Sequence, residues 1–480
     1  MKKTVLFILW MALPLLMVAQ VTLPKVISDN MVLQQGKKVN IWGEAAPGER
    51  VIVKFQRQTK KTVADEQGRW SVQLDELKAT HKPQQMTVRG KKNTIRLKNI
   101  LIGEVWLASG QSNMEYSMNN HPKYAKAKKG NPNRLKEEFE QANSPIIRLM
   151  YVKKELKSDT LPSNGWQTLS QETLAPMSAA GYFFAKRLVE ELDVPVGIIS
   201  TSWGGTRIET WTPEEAYAES PLFKEKLKEH KIDGHRVGER FYQMVEPMIP
   251  FTLKGFLWYQ GESNLIDLGP TDNYYDKKKT LIECWRKAWK DDALPFYYVQ
   301  ISPYTYSTRR GDFVANAWDA LPRFWEEQTR CLQIPKTGMV VTTDLVDNVK
   351  DIHPSYKWTV GERLARLALA KDYGKTETVF CGPTYKSLKV EGKKVVIEFD
   401  HTYGGLKTSD GKAPDWFTVK LNNGRYSKPQ SAYIEENRVV LTHERLDPSG
   451  SVRFAWDELA MPNLINGEGL PALPFRTSGE

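Results

Sequence analysis

The feature that most constrains this chain is an alternation in its middle. Short apolar runs at residues 105–108, 196–199, 255–258, 296–299 and 339–341 are separated by helical stretches at 179–192, 274–289, 313–329 and 358–373. Apolar strands alternating with helices predict an α/β fold, with a central parallel sheet covered by helices on both faces. In such sheets chemistry gathers in the loops at the carboxyl ends of the strands. Groups able to do chemistry are therefore expected just past each run.

The flanks have a different texture. Residues 21–102 hold short alternating or β-branched stretches punctuated by turn residues, and residues 376–480 return to that pattern, so a β-rich module is expected on each side of a catalytic domain at 103–375. A chain of 480 residues is too long for one compact core, which agrees with several domains. Residues 1–20 read as a signal peptide: Lys2 and Lys3, an apolar stretch interrupted by Pro14, then Val18-Ala19 before Gln20. Export to the periplasm or the medium is the expectation, with no membrane insertion of the mature chain, because no later segment is apolar for the roughly 20 residues a span needs. Three cysteines, Cys284, Cys331 and Cys381, are too few for a disulfide framework and read as small buried hydrophobes. The net charge is +11, but the lysines are scattered, so neither a nucleic-acid stripe nor a nucleic-acid partner is expected. The segment from Asn119 to Asn143 reads as a polar, Lys-rich surface excursion with some helix.

Four loops carry groups able to do chemistry. Gly110-Gln111-Ser112-Asn113-Met114 follows the first run and sets a serine at a strand-to-helix turn, where its hydroxyl is exposed. Met114 stands where a G-x-S-x-G elbow has its last glycine, so this is not that motif. Ser202-Trp203-Gly204-Gly205-Thr206-Arg207 follows the second, with glycines that let a backbone N–H approach a ligand. Thr212-Pro213-Glu214-Glu215 then reads as a helix start with Thr212 as its cap. Trp258-Tyr259-Gln260-Gly261-Glu262-Ser263-Asn264 follows the third and offers an asparagine amide to an oxyanion. Asp351-Ile352-His353-Pro354 precedes the last helix. His353 alone of the seven histidines combines a nearby Asp with the expected sheet edge; His81, His121, His230, His235, His401 and His443 read as surface residues. No spacing suggests a metal site.

Taken in this order, the motifs resemble the SGNH hydrolase superfamily and, within it, the sialate O-acetylesterase family. The stretch from Leu23-Pro24-Lys25 to Leu33-Gln34-Gln35 resembles that family's amino-terminal module, so the resemblance covers nearly the whole mature chain. It implies a serine esterase without a cofactor that removes O-acetyl groups from a sugar, most specifically 9-O-acetylated sialic acid. Ser112 would be the nucleophile and His353 the base. The N–H groups of Ser112 and Gly205, with the Asn264 side chain, would hold the oxyanion, Gly204 being the alternative donor. Gln111, Arg207, Gln260 and Glu262 would contact substrate, Arg207 by pairing with a sialate carboxylate or else forming an internal ion pair. The superfamily usually has Asp three residues before His, but Lys350 stands there, which leaves Asp351, Asp344, Asp347 or a backbone carbonyl to orient the imidazole. An acetylxylan or other hemicellulose acetylesterase is the close alternative. A non-catalytic carbohydrate-binding protein is a more distant one, against which the intact Ser112, Asn264 and His353 argue.

Overall fold

The computed structural model describes residues 20–120, 127–155, 160–268, 273–308 and 318–477. Residues 1–19 of the expected signal peptide, His121 and the first part of the helix expected at 313–329 lie outside them.

The apolar runs form one sheet. Its strands are β1 (Thr94–Gly110), β2 (Ile147–Val152), β3 (Ser163–Thr168), β4 (Val196–Ser202), β5 (Gly255–Tyr259), β6 (Phe296–Val299) and β7 (Thr337–Val340). Their order in space is β7-β6-β5-β1-β4-β2-β3, parallel except for the antiparallel edge pair β2 and β3. Those two strands were not among the expected runs. The Lys-rich excursion before them does hold a helix, Arg134–Gln141.

Successive side chains on a strand face opposite sides, and the sheet uses both. Trp106 and Ala108 of β1 pack with Leu257 and Tyr259 of β5 beneath two helices, α2 (Ala179–Leu192) and α6 (Lys357–Asp372). Val105 and Leu107 pack with Phe256 and Trp258 on the other side, against α4 (Tyr274–Trp289) and α5 (Ala320–Arg330). Two short helices, α1 (Ser112–Glu115) and α3 (Glu262–Leu268), open the loops that follow β1 and β5. The central domain is thus a three-layer α/β/α sandwich.

The β-rich modules attach differently. β1 is 17 residues long and runs unbroken through positions 102 and 103. Its first half pairs with Thr80–Arg89 and Val32–Gln34 of the amino-terminal module, its second half with β4 and β5. That module shares a core with one face of the central domain. The carboxy-terminal module builds two four-stranded antiparallel sheets around a core of its own.

The helix after the Gly-Gly loop is Glu214–Glu219 with Pro213 at its cap position; Thr212 turns its hydroxyl back to the Ile208 carbonyl instead. The three cysteines are unpaired. Six tryptophans are fully buried, Trp106, Trp166, Trp211, Trp258, Trp285 and Trp325, which accounts for much of the aromatic content by packing alone. No described helix is long and apolar enough to cross a membrane.

Candidate active site

Three central strands end level with one another. Ser202 of β4 and Tyr259 of β5 both pair with Gly110, the last residue of β1. Gly110 has φ +140°, and a Cβ there would sit 2.2 Å from the Tyr259 carbonyl oxygen, so only glycine lets the chain leave the sheet at this point. The three loops that follow are therefore neighbours although about 150 residues separate the first from the last.

These loops and the segment before α6 enclose a cavity of about 550 Å³. Gln111, Ser112, Glu115, Gly204, Gly205 and His353 all line it. Ser112 is the first residue of α1, where a backbone N–H has no acceptor within the helix. Gly205 has φ +74°, and its N–H donates to no described residue. Gly204 N–H, by contrast, donates to the Glu115 carboxylate on the same helix as Ser112, and that carboxylate also accepts from Lys154 at 2.6 Å. A Cβ on Gly204 would lie 3.2 Å from Glu115 Oε2 and 3.3 Å from Ser112 Cβ. Of the two glycines, 205 keeps its donor available.

His353 sits in the loop before α6, with its side chain 21% exposed. Asp351 Oδ1 is 3.9 Å from His353 Nδ1, beyond hydrogen-bond reach, and instead accepts the His353 backbone N–H at 2.9 Å. The other two carboxylates considered are committed: Asp344 to Arg363, and Asp347 to the Tyr356 hydroxyl and the Lys128 N–H. Ser112 Oγ forms no hydrogen bond with a described residue, so Ser112 and His353 share a cavity without being joined. Such contacts are often loose in enzymes without substrate.

The cavity lies at the carboxyl ends of the central strands, and the similarity of the chain to known proteins says what kind of protein carries it. Residues 102–370 match the family model described as carbohydrate esterase, sialic acid-specific acetylesterase. The chain belongs to this family. Human sialate O-acetylesterase is 29% identical over 414 residues, covering 78% of this chain and 75% of that protein. The mouse sialate O-acetylesterase is 27% identical over 494 residues, covering 90% and 88%. A carbohydrate acetylesterase from Xanthomonas citri superposes with a TM-score of 0.83 at 31% identity, covering 96% of this chain and all of the other. The protein is thus a carboxylic ester hydrolase of the SGNH type.

Four residues expected around the substrate lie elsewhere in this esterase. Asn264 is fully buried and does not line the cavity; its amide nitrogen donates to both oxygens of Glu209, at 3.3 and 3.1 Å, while its oxygen accepts from Ile208 N–H and Gln260. The reason is Glu209, a carboxylate with no exposure that needs donors on every side. Arg207 takes its other flank as a bidentate pair, at 3.2 and 2.7 Å, and Lys277 a third at 2.6 Å. Burial raises the Glu209 carboxyl, but Lys277 and Arg207 outweigh it and hold the group at about 2. Gln260 is sealed between Asn264, the Thr206 carbonyl and the Tyr274 hydroxyl. Glu262 is buried, bonded through one oxygen to Asn113 at 2.5 Å. Gln111 does reach the cavity. Its carbonyl oxygen is anchored by the N–H groups of Gly261 and Ser263 and by Gln260, while its amide nitrogen bonds no described residue.

The site also holds residues the sequence reading passed over. Asn113 and Glu115 belong to the helix that Ser112 opens, and Lys357 opens α6 four positions after His353. That spacing, His-x-x-x-Lys into a helix start, was the available signal. Among the described residues no group of three His, Cys, Asp or Glu side chains is arranged to hold a metal ion.

Proposed function

We propose that this carbohydrate esterase removes the 9-O-acetyl group of sialic acid by acyl transfer through Ser112. The observation that carries the reading is the cavity itself: Ser112, His353 and the unpaired N–H of Gly205 converge on it from three separate loops. His353 takes the Ser112 proton as the oxygen attacks the acetyl carbonyl. The N–H groups of Ser112 and Gly205 hold the oxyanion, and Gln111 turns its free amide nitrogen to the acyl group. The sugar hydroxyl leaves with the proton from His353, and water releases acetate from the acetyl-enzyme by the same route. Asp351 steadies His353 through its backbone N–H and closes on the imidazole when substrate fills the site.

The sialate reading is supported by the family and by positive charge beside the cavity. Arg207 lines a smaller pocket of about 180 Å³ with His235, Arg236, Glu239 and Arg240, and this pocket meets the catalytic cavity at Gly205. A second reading, a neutral acetylated glycan such as acetylxylan, is favoured by the commitment of the Arg207 guanidinium to Glu209. Export of the protein, with cleavage near Ala19 and Gln20, rests on the Lys2-Lys3 start and the apolar run after it.

Acetate release from an O-acetylated mucin and from acetylated xylan, each with Ser112→Ala as the blank, tests the reaction and its substrate class. Release from mucin alone is expected. Release from xylan alone transfers the enzyme to plant polysaccharide, and release that survives in Ser112→Ala removes the mechanism.

A further inference from the structure

The loop that carries His353 is gripped at two points. The Ile352 carbonyl, just before the histidine, accepts from Asn113 Nδ2 at 3.0 Å. The Pro354 carbonyl, just after it, accepts from Lys357 Nζ at 2.6 Å. The two gripping side chains are themselves bonded, Lys357 Nζ donating to Asn113 Oδ1 at 2.8 Å. Asn113 is the chain neighbour of Ser112, and its amide also donates to Glu262 of the third loop. One asparagine therefore ties the nucleophile's helix, the base's loop and the loop after β5 together.

This arrangement is costly to bury, which argues that it serves something beyond packing. Asn113, Glu262 and Lys357 are each about 1% exposed. Lys357 has no carboxylate in hydrogen-bond contact; its ammonium lies 4.9 Å from the centre of the Tyr116 ring and 5.4 Å from that of Tyr259. Burial brings Lys357 down to about 7, with Glu262 and Asp351 pulling the other way. The second oxygen of Glu262 is buried without a hydrogen bond. A methionine in place of Lys357 would fill the same space with no charge to desolvate, yet would leave the Pro354 carbonyl unheld.

We propose that Asn113 and Lys357 form a bracket that positions His353 against Ser112, holding the base by the backbone carbonyls on either side of it. Neither touches substrate; both act through the histidine. The proposal rests on His353 being the base. The bracket supplies what the 3.9 Å separation of Asp351 from the imidazole does not, a fixed placement of the base before substrate arrives. It also makes that placement depend on the nucleophile's own helix, so the two reacting groups move as a unit.

The test is steady-state kinetics on Lys357→Met, Lys357→Gln, Asn113→Ala and their double combination, with His353→Ala in parallel and circular dichroism to establish folding. A misplaced base costs on the order of 100-fold in kcat while leaving KM near wild type, because the interaction matters in the transition state. Lys357→Gln, which keeps an N–H donor one bond shorter, should recover part of the loss seen in Lys357→Met. Lys357→Met and Asn113→Ala combined should cost less than the product of their separate effects, because both break one device. A folded Lys357→Met with wild-type kcat, or with KM alone altered, overturns the bracket. If Lys357→Met does not fold, the same criteria apply to Lys357→Gln and Asn113→Ala. Full activity in His353→Ala overturns the assignment of the base instead, which keeps the two failures distinct.

Discussion

Two buried polar clusters lie at the carboxyl ends of the same strands, and their electrostatics are opposite. Around Glu209 the charges are matched: Arg207, Lys277 and Asn264 surround one carboxylate, and Asp233 takes the other side of Lys277 at 2.5 Å. Around Asn113 they are not: Glu262 and Lys357 bond to the asparagine rather than to each other, and burial drives both toward their neutral forms, Glu262 upward and Lys357 down to about 7. The matched cluster lies outside the cavity lined by Ser112 and His353, whereas the mismatched one sits beneath those two residues. Matching charges serves the fold; a site that must place and move a proton tolerates groups left near their tipping points.

The largest effect expected is on the matched cluster. Glu209→Ala removes the one carboxylate that Arg207, Lys277 and Asn264 share and should destabilise the protein by about 3–5 kcal/mol, read as an earlier urea midpoint. A small shift would mean that the cluster is wetter than its burial indicates. The next expectation separates the two asparagines. Asn264→Ala should cost about 1–3 kcal/mol of stability, because Glu209 loses two hydrogen bonds, while the folded fraction keeps its kcat. A 100- to 1000-fold fall in kcat would return Asn264 to the oxyanion and erase the division between the clusters.

A third expectation concerns pH. Glu209 is held at about 2 against an ordinary 4.5, so its stabilisation is complete above about 4.5 and lost as the pH falls through about 2. The stability gap between wild type and Glu209→Gln should therefore narrow across that window in denaturant titrations. The smallest effect is at Lys278, which is fully buried, makes no hydrogen bond and is brought down to about 7 by burial. Its Nζ lies 3.1 Å from the centre of the Tyr298 ring. Lys278→Met should raise the melting temperature by a few degrees, on the order of 1 kcal/mol. The unfolded chain holds a proton on Lys278 up to an ordinary 10.5 that the native state gives up near 7, so wild-type stability rises with pH across that window and the advantage of methionine shrinks toward 10.5.

How far the sequence foretold this site follows from the range of each signal. Strand ends and turn glycines are local, so the placement of Ser112, Gly205 and His353 around one cavity was legible from three loops and a parallel sheet. Side-chain direction is not local. Asn264 and Glu262 lie two residues apart on α3, and their partners, Glu209 and Asn113, come from two other loops, 55 and 149 residues away. No spacing along the chain announces those pairings. Arg207 was open to two readings for the same reason, and the structure commits its guanidinium to Glu209. β2 and β3 escaped notice because the charged excursion before them masks the return to the sheet.

The long strand β1 has a consequence for inheritance. Its residues 94–102 are zipped into the front module and its residues 104–110 lead straight to Ser112. A cut at the seam between those stretches would sever a backbone the catalytic sheet depends on, so the front module cannot be exchanged as a cassette. The rear module has a core of its own and meets the central domain through contacts that include Leu473, the Arg476–Glu326 ion pair and the Ser307–Glu458 hydrogen bonds, so an exchange there has those contacts to rebuild. Chimaeras of this enzyme should be spliced behind α6, never before β1.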